Sequence, residues 1–489
     1  IGTHGRVRYG SAGSPRGQEL SGSRSMRPRS PAAALGLREE LLPGLSSAAD
    51  SSALLLATVE LPADTDPLAL WESFPGEPGV YWETDTETIS GAGICLAAEA
   101  VDQHREHLTR LASAVRLPAS DFATDQPPTP RLLGAVPFVQ GWIDEGWARL
   151  GPAGFALPRW TLFRRAGRST LQLAIEGPIC DADLERVASE LTRLEASLSS
   201  PAADRPWGRF SAATIPPGQD ELTWGRAVEA ALEEIRASHF QKVVLSRCVT
   251  HEFSRPVSAV TVLRQLSASA AGRYRFGLRH GDTAFVGASP ECLFDKRGTA
   301  VELEALAGTY DLGGDDSEAG LIRATEHLFA SGKDLEEQSL VVRGILDALT
   351  PLSDSVTAAE WPTVREARGL AHLSTQLVAR LRPGVSPFEL IDALHPTPAV
   401  GGLPRPEALA FIRATETSPR GLFAGPVGWI SPDGDACLAV AIRSALLLGN
   451  RACVYAGAGI VAASDPTAEW EETTAKLRWL HELCAETQE

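Results

Sequence analysis

Three side chains of one segment have the types and spacing to do chemistry together. In AEWEETTAKLRWLHELCAE, which follows Asp465 and Pro466 as N-cap and first-turn residue, Glu469, Glu472 and Lys476 share a helical face with Trp479, Leu480 and Leu483. Glu471, Arg478 and Glu482 point elsewhere. Two carboxylates and an amine directed at a core need a ligand or a divalent cation to complete them. The same spacing also fits an ordinary Glu472–Lys476 ion pair, worth about 0.2–0.5 kcal/mol on an exposed helix. The face alone leaves both readings open.

Other segments add to that set. Glu337 lies at the edge of an apolar stripe, one turn after Lys333; it is either a solvated edge residue or a second contributor of carboxylate to a Mg²⁺ site. Arg443 interrupts LAVAIRSALLL, an otherwise apolar run, and needs an anionic partner, either a substrate carboxylate or a structural Asp. Glycine-bearing turns are expected at EALAGTY (304–310) and YAGAGIV (455–461), where backbone N–H groups can approach an anion. HPTPAVGG (395–402) reads as a rigid turn, and GASPE ends a strand with Glu291 just past a proline. Lysine occurs only at 242, 296, 333 and 476, although Lys and Arg together number 45, so Lys242 stands out at the head of the strand QKVVLSRCVT.

The elements that must position these groups follow from periodicity. LTWGRAVEAALEEIRASHF reads as a helix with Trp224, Val228, Ala231, Leu232 and Ile235 on one face. Strands are expected at YRFGLRH, TAFVGAS, LAVAIRSALLL and ACVYAGAG, and long helices over 317–349 and 466–485. The Gly-, Ser- and Arg-rich residues 1–25 read as a non-native or disordered leader, with Met26 as the natural start. Residues 26–215 form an N-terminal half, and residues 216–489 the region that carries the chemistry; the Pro-rich loop 199–208 marks the boundary.

A net charge of −17 argues against nucleic acid or an anionic membrane as partner. Seven scattered cysteines without a CxxC pair suggest neither a disulfide framework nor a zinc site, and point to the cytoplasm. No apolar run reaches the roughly 18 residues of a membrane span.

Taken in order, FQKVVLSR, GASPE, ALAGT, SGKDLEEQSLVV, AHLSTQL, LHPTPAVGGLPR, GPVGWI, AVAIRSA, YAGAGIV and DPTAEWEETTAKL resemble the chorismate-utilising enzymes, and within them the isochorismate synthase branch. The resemblance is dense from about Phe240 to Leu477 and thins before residue 215 to PFVQGWIDEGWARLGPAGFALPR. It implies an α/β (α+β) chain of the anthranilate-synthase-like fold, with large antiparallel sheets stacked in a sandwich and helices outside. It also implies Mg²⁺-dependent isomerisation of chorismate to isochorismate, by water addition at C2 and loss of the C4 hydroxyl. By motif position Lys242 would be the base that activates water and Glu291 the acid that protonates the leaving hydroxyl. Glu337 and Glu472 would hold Mg²⁺, with Glu469 close by. Gly308, Thr309, His372, Ala399, Arg443, Gly457 and Lys476 would bind substrate. A monomer without a glutaminase subunit is expected.

That chemistry constrains ionisation. Lysine with an unperturbed value near 10.4 is neutral in roughly one molecule in a thousand at pH 7.5, so Lys242 should be shifted down and Glu291 up, and both should be buried. Some positions depart from the family pattern. Gly332 stands where an acid is usual, Gln338 where His often follows the metal-binding Glu, Tyr310 where Arg is frequent, and Cys437 where Glu is common. Anthranilate and aminodeoxychorismate synthases use ammonia and lack Lys at the 242 position, so Lys242 favours water as nucleophile. The alternatives are a salicylate synthase, which also eliminates pyruvate, and a non-catalytic chorismate-binding protein. The pathway served, whether menaquinone, siderophore or salicylate, stays open.

Overall fold

The structure, a computed structural model, describes residues 35–97, 101–117, 128–199, 208–269 and 273–485. The expected leader, Met26 and most of the loop 199–208 lie outside the described residues. Residues from Leu35 onward form one compact unit.

Long alternating segments pair into two ribbons that share the strand Gly154–Arg165. One ribbon runs from Gly154–Arg165 through Glu87–Ala97, Gly79–Glu83, Tyr274–His280, Thr283–Ser289, Ser444–Leu448 and Arg451–Ile460 to Lys242–Phe253. The other runs through Leu132–Ala135, Pro426–Ile430, Ala436–Val440, Cys292–Arg297 and Ala300–Asp311 to Leu370–Leu381. All these pairings are antiparallel. Side chains of both ribbons meet in one apolar cluster, with Phe285 and Leu446 from the first and Phe294 and Leu438 from the second, as in a sandwich whose inner faces interdigitate. The fold is the expected α+β architecture. Strands of the first half complete both ribbons, through Glu83 opposite Arg275 and Ala135 opposite Val427.

The helices obey their local signals. Asp220 caps Glu221–Arg236 by accepting from the Thr223 N–H at 3.0 Å, and the helix buries Trp224, Val228, Ala231 and Leu232. Four sequence expectations need correction.

The span 317–349 is two helices, Glu318–Ala330 and Gly332–Leu349, because Ser331 is extended and its hydroxyl caps the second by accepting from the Asp334 N–H. The span 466–485 likewise divides into Pro466–Leu477 and Trp479–Ala485. LAVAIRSALLL is not one strand: it breaks after Val440 and resumes at Ser444, with Arg443 in the left-handed region at φ 52°. The glycine-bearing turns are strands instead. EALAGTY belongs to Ala300–Asp311, with a bulge between Ala307 and Tyr310 at Gly308 (φ 66°), and YAGAGIV ends Arg451–Ile460.

Candidate active site

The Lys242 strand and its neighbour define the floor of the site. In their register Val244 lies opposite Gly459 and Ser246 opposite Gly457. Directly opposed residues share a sheet face, so the two glycines lack side chains on the face that carries Lys242. A Cβ at Gly459 would lie 2.0 Å from Glu337 Oε1 and 2.8 Å from Lys242 Cε. The gap lets Glu337, projecting from the helix Gly332–Leu349, come within 3.0 Å of Lys242 Nζ. Lys242 is fully buried, and Glu337 is 6% exposed.

Above this floor is a cavity with an empty volume of about 730 Å³ including its mouth, within the range of small-molecule sites. Ten of the twelve residues expected from sequence line it: Glu291, Gly308, Thr309, Glu337, His372, Ala399, Arg443, Gly457, Glu472 and Lys476. Lys242 lies behind Glu337 and Gly459, and Glu469 lies behind the cavity wall beside Lys333.

Glu291 sits between the strands Thr283–Ser289 and Cys292–Arg297, its N–H donating to Ser289 Oγ at 3.1 Å. Burial pushes its carboxyl up to about 8, against the opposing pull of Lys242 and with a further push from Glu304. It therefore holds a proton at neutral pH.

The break at Arg443 turns its guanidinium to His372, whose Nε2 accepts from Arg443 Nη2 at 3.0 Å. Burial, with Arg443 and Lys476 nearby, lowers His372 to about 3. The neutral ring then donates from Nδ1 to the Gly308 carbonyl at 2.9 Å, a tautomer assigned from this network.

On the helix Pro466–Leu477, Lys476 Nζ donates to Glu472 Oε1 at 2.6 Å and to the Gly457 carbonyl at 3.0 Å. Lys333 Nζ lies 2.9 Å from Glu469 and 3.6 Å from Glu472. Burial alone would raise Glu472, but Lys476 and Lys333 overcome it and hold the carboxylate well below its ordinary value. Burial and the neighbouring Glu472 raise Glu469. So the bland alternative for this helix, an exposed ion pair, does not describe it: Glu472 and Lys476 are largely buried beside a cavity.

The donor set suits a hard divalent cation. Glu337 and Glu472 offer carboxylate oxygens to the cavity, and Glu469, 1% exposed, lies beside them with Lys333 Nζ at 2.9 Å. Among the described residues no three such side chains converge as a complete cage. Mg²⁺ takes one or two carboxylates and keeps substrate oxygens and water as its other ligands.

The four departures from the family pattern occupy different settings. A Cβ at Gly332 would meet nothing within 4 Å. Gln338 donates to the Ala305 carbonyl at 3.0 Å and Thr375 Oγ1 at 2.8 Å, pinning its helix to two strands. Cys437 is buried opposite Asp295, and Tyr310 packs on His327.

Sequence reasoning assigned no role to Gly459, Arg420 or Lys333. The first was legible as the second of two glycines two residues apart in a strand, a pattern that clears one face. Arg420 could have been paired with Glu416 from their four-residue spacing, but its two other acceptors, the Val400 and Val244 carbonyls, belong to distant segments and left no local signal.

The chain is 33% identical over 449 residues to the salicylate biosynthesis isochorismate synthase of Pseudomonas aeruginosa, covering 90% of this chain and 92% of that one. It superposes on the menaquinone-specific isochorismate synthase of Escherichia coli with a TM-score of 0.74 at 26% identity, covering 91% of this chain and 99% of the other. Anthranilate synthase component I of Streptococcus pneumoniae shares the fold, with a TM-score of 0.60 at 21% identity over 83% and 92% of the two chains. Sequence and fold agree along nearly the whole length, and with the chorismate binding enzyme model matching residues 42–484 the protein belongs to that family.

Proposed function

We propose that the protein is an isochorismate synthase, with Lys242 as base and Glu291 as acid. The observation that carries this reading is the company Glu291 keeps: a buried, protonated carboxyl faces the same cavity as Arg443 and Lys476, with the Lys242–Glu337 pair at its floor.

Chorismate carries two carboxylates, and Arg443, Lys476 and the backbone around Gly308 and Gly457 would receive them. Lys242 takes a proton from water as the water oxygen bonds to C2. The ring double bonds shift, the C4–O bond breaks, and Glu291 protonates the departing oxygen, which leaves as water. Solvent exchange restores both groups. Thr309 Oγ1, 3.3 Å from Glu472, and His372, held by Gly308 and Arg443, fix the wall beside the ring. Glu337 and Glu472, with Glu469 behind, would hold Mg²⁺, whose charge when bound offsets that of a substrate carboxylate.

A monomer working in the cytoplasm without a glutaminase subunit completes the proposal. Lys242, which suits water as nucleophile, supports the reading without a glutaminase subunit, and seven free cysteines support the cytoplasm. No helix among the described residues is long and apolar enough to cross a membrane.

The test is to incubate the protein with chorismate and Mg²⁺ and identify the products. Isochorismate alone is expected. Salicylate with pyruvate would reassign it as a salicylate synthase, and chorismate bound but recovered unchanged would make it a binding protein.

A further inference from the structure

Arg420 lines the cavity, is 1% exposed, and spends its donors on protein rather than on the cavity. Nε and Nη2 donate to the two oxygens of Glu416 at 2.9 and 2.5 Å. Nη1 donates to the Val400 carbonyl and Nη2 to the Val244 carbonyl, both at 2.7 Å. Four of the five N–H donors of a guanidinium are thus engaged. The guanidinium carbon lies 4.1 Å from the centre of the Phe138 ring. Glu416 also accepts from the Ser246 N–H at 2.8 Å.

One buried ion pair therefore joins three segments: the Lys242 strand at Val244 and Ser246, the turn that carries Ala399 at Val400, and Phe138 of the first half. It stands in a partition. Arg420 and Tyr455 line both the main cavity and a second one of about 530 Å³, and Glu416 lines only the second.

The strand is the stiff member, because it is registered along the whole of Arg451–Ile460. The turn meets it through Gly402 opposite Val243, Leu403 opposite Lys242 and the Val244 N–H donating to the Gly401 carbonyl at 2.8 Å. Arg420 has open volume on two sides, and its guanidinium adds a direct tie between Val400 of the turn and Val244 of the strand.

We propose that the Arg420–Glu416 ion pair is a positioning device that sets Ala399 and Val400 against the bound substrate, with Arg420 acting through the turn and not as a substrate ligand. The inference rests on the isochorismate synthase reading. A planar fork satisfies four acceptors that a lysine ammonium on a flexible stem does not reach together. A residue that merely offered positive charge to a substrate carboxylate would tolerate lysine.

The experiment compares Arg420→Lys, Arg420→Met and Glu416→Gln by steady-state kinetics with chorismate and Mg²⁺ across pH. Arg420→Lys should be as impaired as Arg420→Met, with kcat/KM down roughly ten- to a hundredfold, most of it in KM, and the pH profile unmoved. Glu416→Gln, whose side chain does not line the main cavity, should do the same. The double variant Arg420→Met with Glu416→Gln should be no worse than the worse single one, since both break one device. Should Arg420→Met not fold, Glu416→Gln and Arg420→Lys carry the test. Wild-type KM in Arg420→Lys, or an unaffected Glu416→Gln, overturns the proposal while leaving the enzyme's function standing. Wild-type protein that neither binds nor converts chorismate overturns both.

Discussion

Glu291 and Glu472 line one cavity, both largely removed from water, and their carboxyl groups are driven in opposite directions. Around Glu291 burial dominates: Lys242 and Lys476 act on it without forming an ion pair, and the group keeps its proton up to about 8. Glu472 has Lys476 at 2.6 Å and Lys333 at 3.6 Å, and it stays ionised. The difference teaches that depth alone does not set the charge of a carboxyl group here. A cation within ion-pair distance does, and the two walls of the site can supply an acid and an anionic ligand from the same residue type.

Removing the proposed proton donor tests one side of that contrast. Glu291→Gln should lower turnover by roughly 10²–10⁴-fold, the range for general acid–base catalysis. In wild-type protein kcat/KM should fall as pH rises through about 8, where Glu291 ionises. The sign for stability follows from the same shift. A carboxyl raised in the folded state leaves stability unaffected below its ordinary value of 4.5 and subtracts from it progressively up to about 8. Glu291→Gln should therefore melt above wild type at pH 8, with the difference vanishing near pH 4. An equal melting temperature at pH 8 would mean Glu291 is ionised in the fold.

Lys242→Ala should cost turnover in the same 10²–10⁴-fold range while chorismate and Mg²⁺ still bind by calorimetry. A variant that remains active would remove Lys242 from the role of base.

On the opposite wall, Glu472→Gln should weaken Mg²⁺ by at least about tenfold in calorimetry, in line with the cost of disturbing a metal's surroundings. Unchanged Mg²⁺ affinity would move the metal away from this helix.

Smaller effects probe the floor and the periphery. Gly459→Ala puts a methyl group against the Lys242–Glu337 pair and should destabilise by about 1–3 kcal/mol, read by denaturant unfolding together with reduced turnover. Gly332→Glu points a side chain into open space and should stay within about 0.5 kcal/mol of wild type. A larger change would mean that the Gly332 departure reaches the site.

Ten of the twelve residues that the family resemblance implied for the site line the cavity, because ordered motifs carry over residue by residue. Helical periodicity put Glu469, Glu472 and Lys476 on one face, and that face is the one that turns inward. Periodicity did less well where local backbone geometry intervenes. The apolar run around Arg443 reads as a continuous strand, but a left-handed residue breaks it, and that break directs the guanidinium to His372. Glycines 308, 457 and 459 suggested turns because glycine relieves tight backbone. In the fold the first makes a bulge, and the other two clear space on a strand.

By itself the sequence determined the residue types available as acid, base, metal ligand and anion binder, the helical face that carries Glu469, Glu472 and Lys476, and, through its family motifs, the α+β architecture. Only the tertiary structure decided the pairing of Lys242 with Glu337, the neutral state of His372 and the clamp of Arg420 on Val244 and Val400. Each of these depends on desolvation and on charges or carbonyls brought in from segments far apart in the chain, and local sequence carries no record of which distant group will arrive within 3 Å.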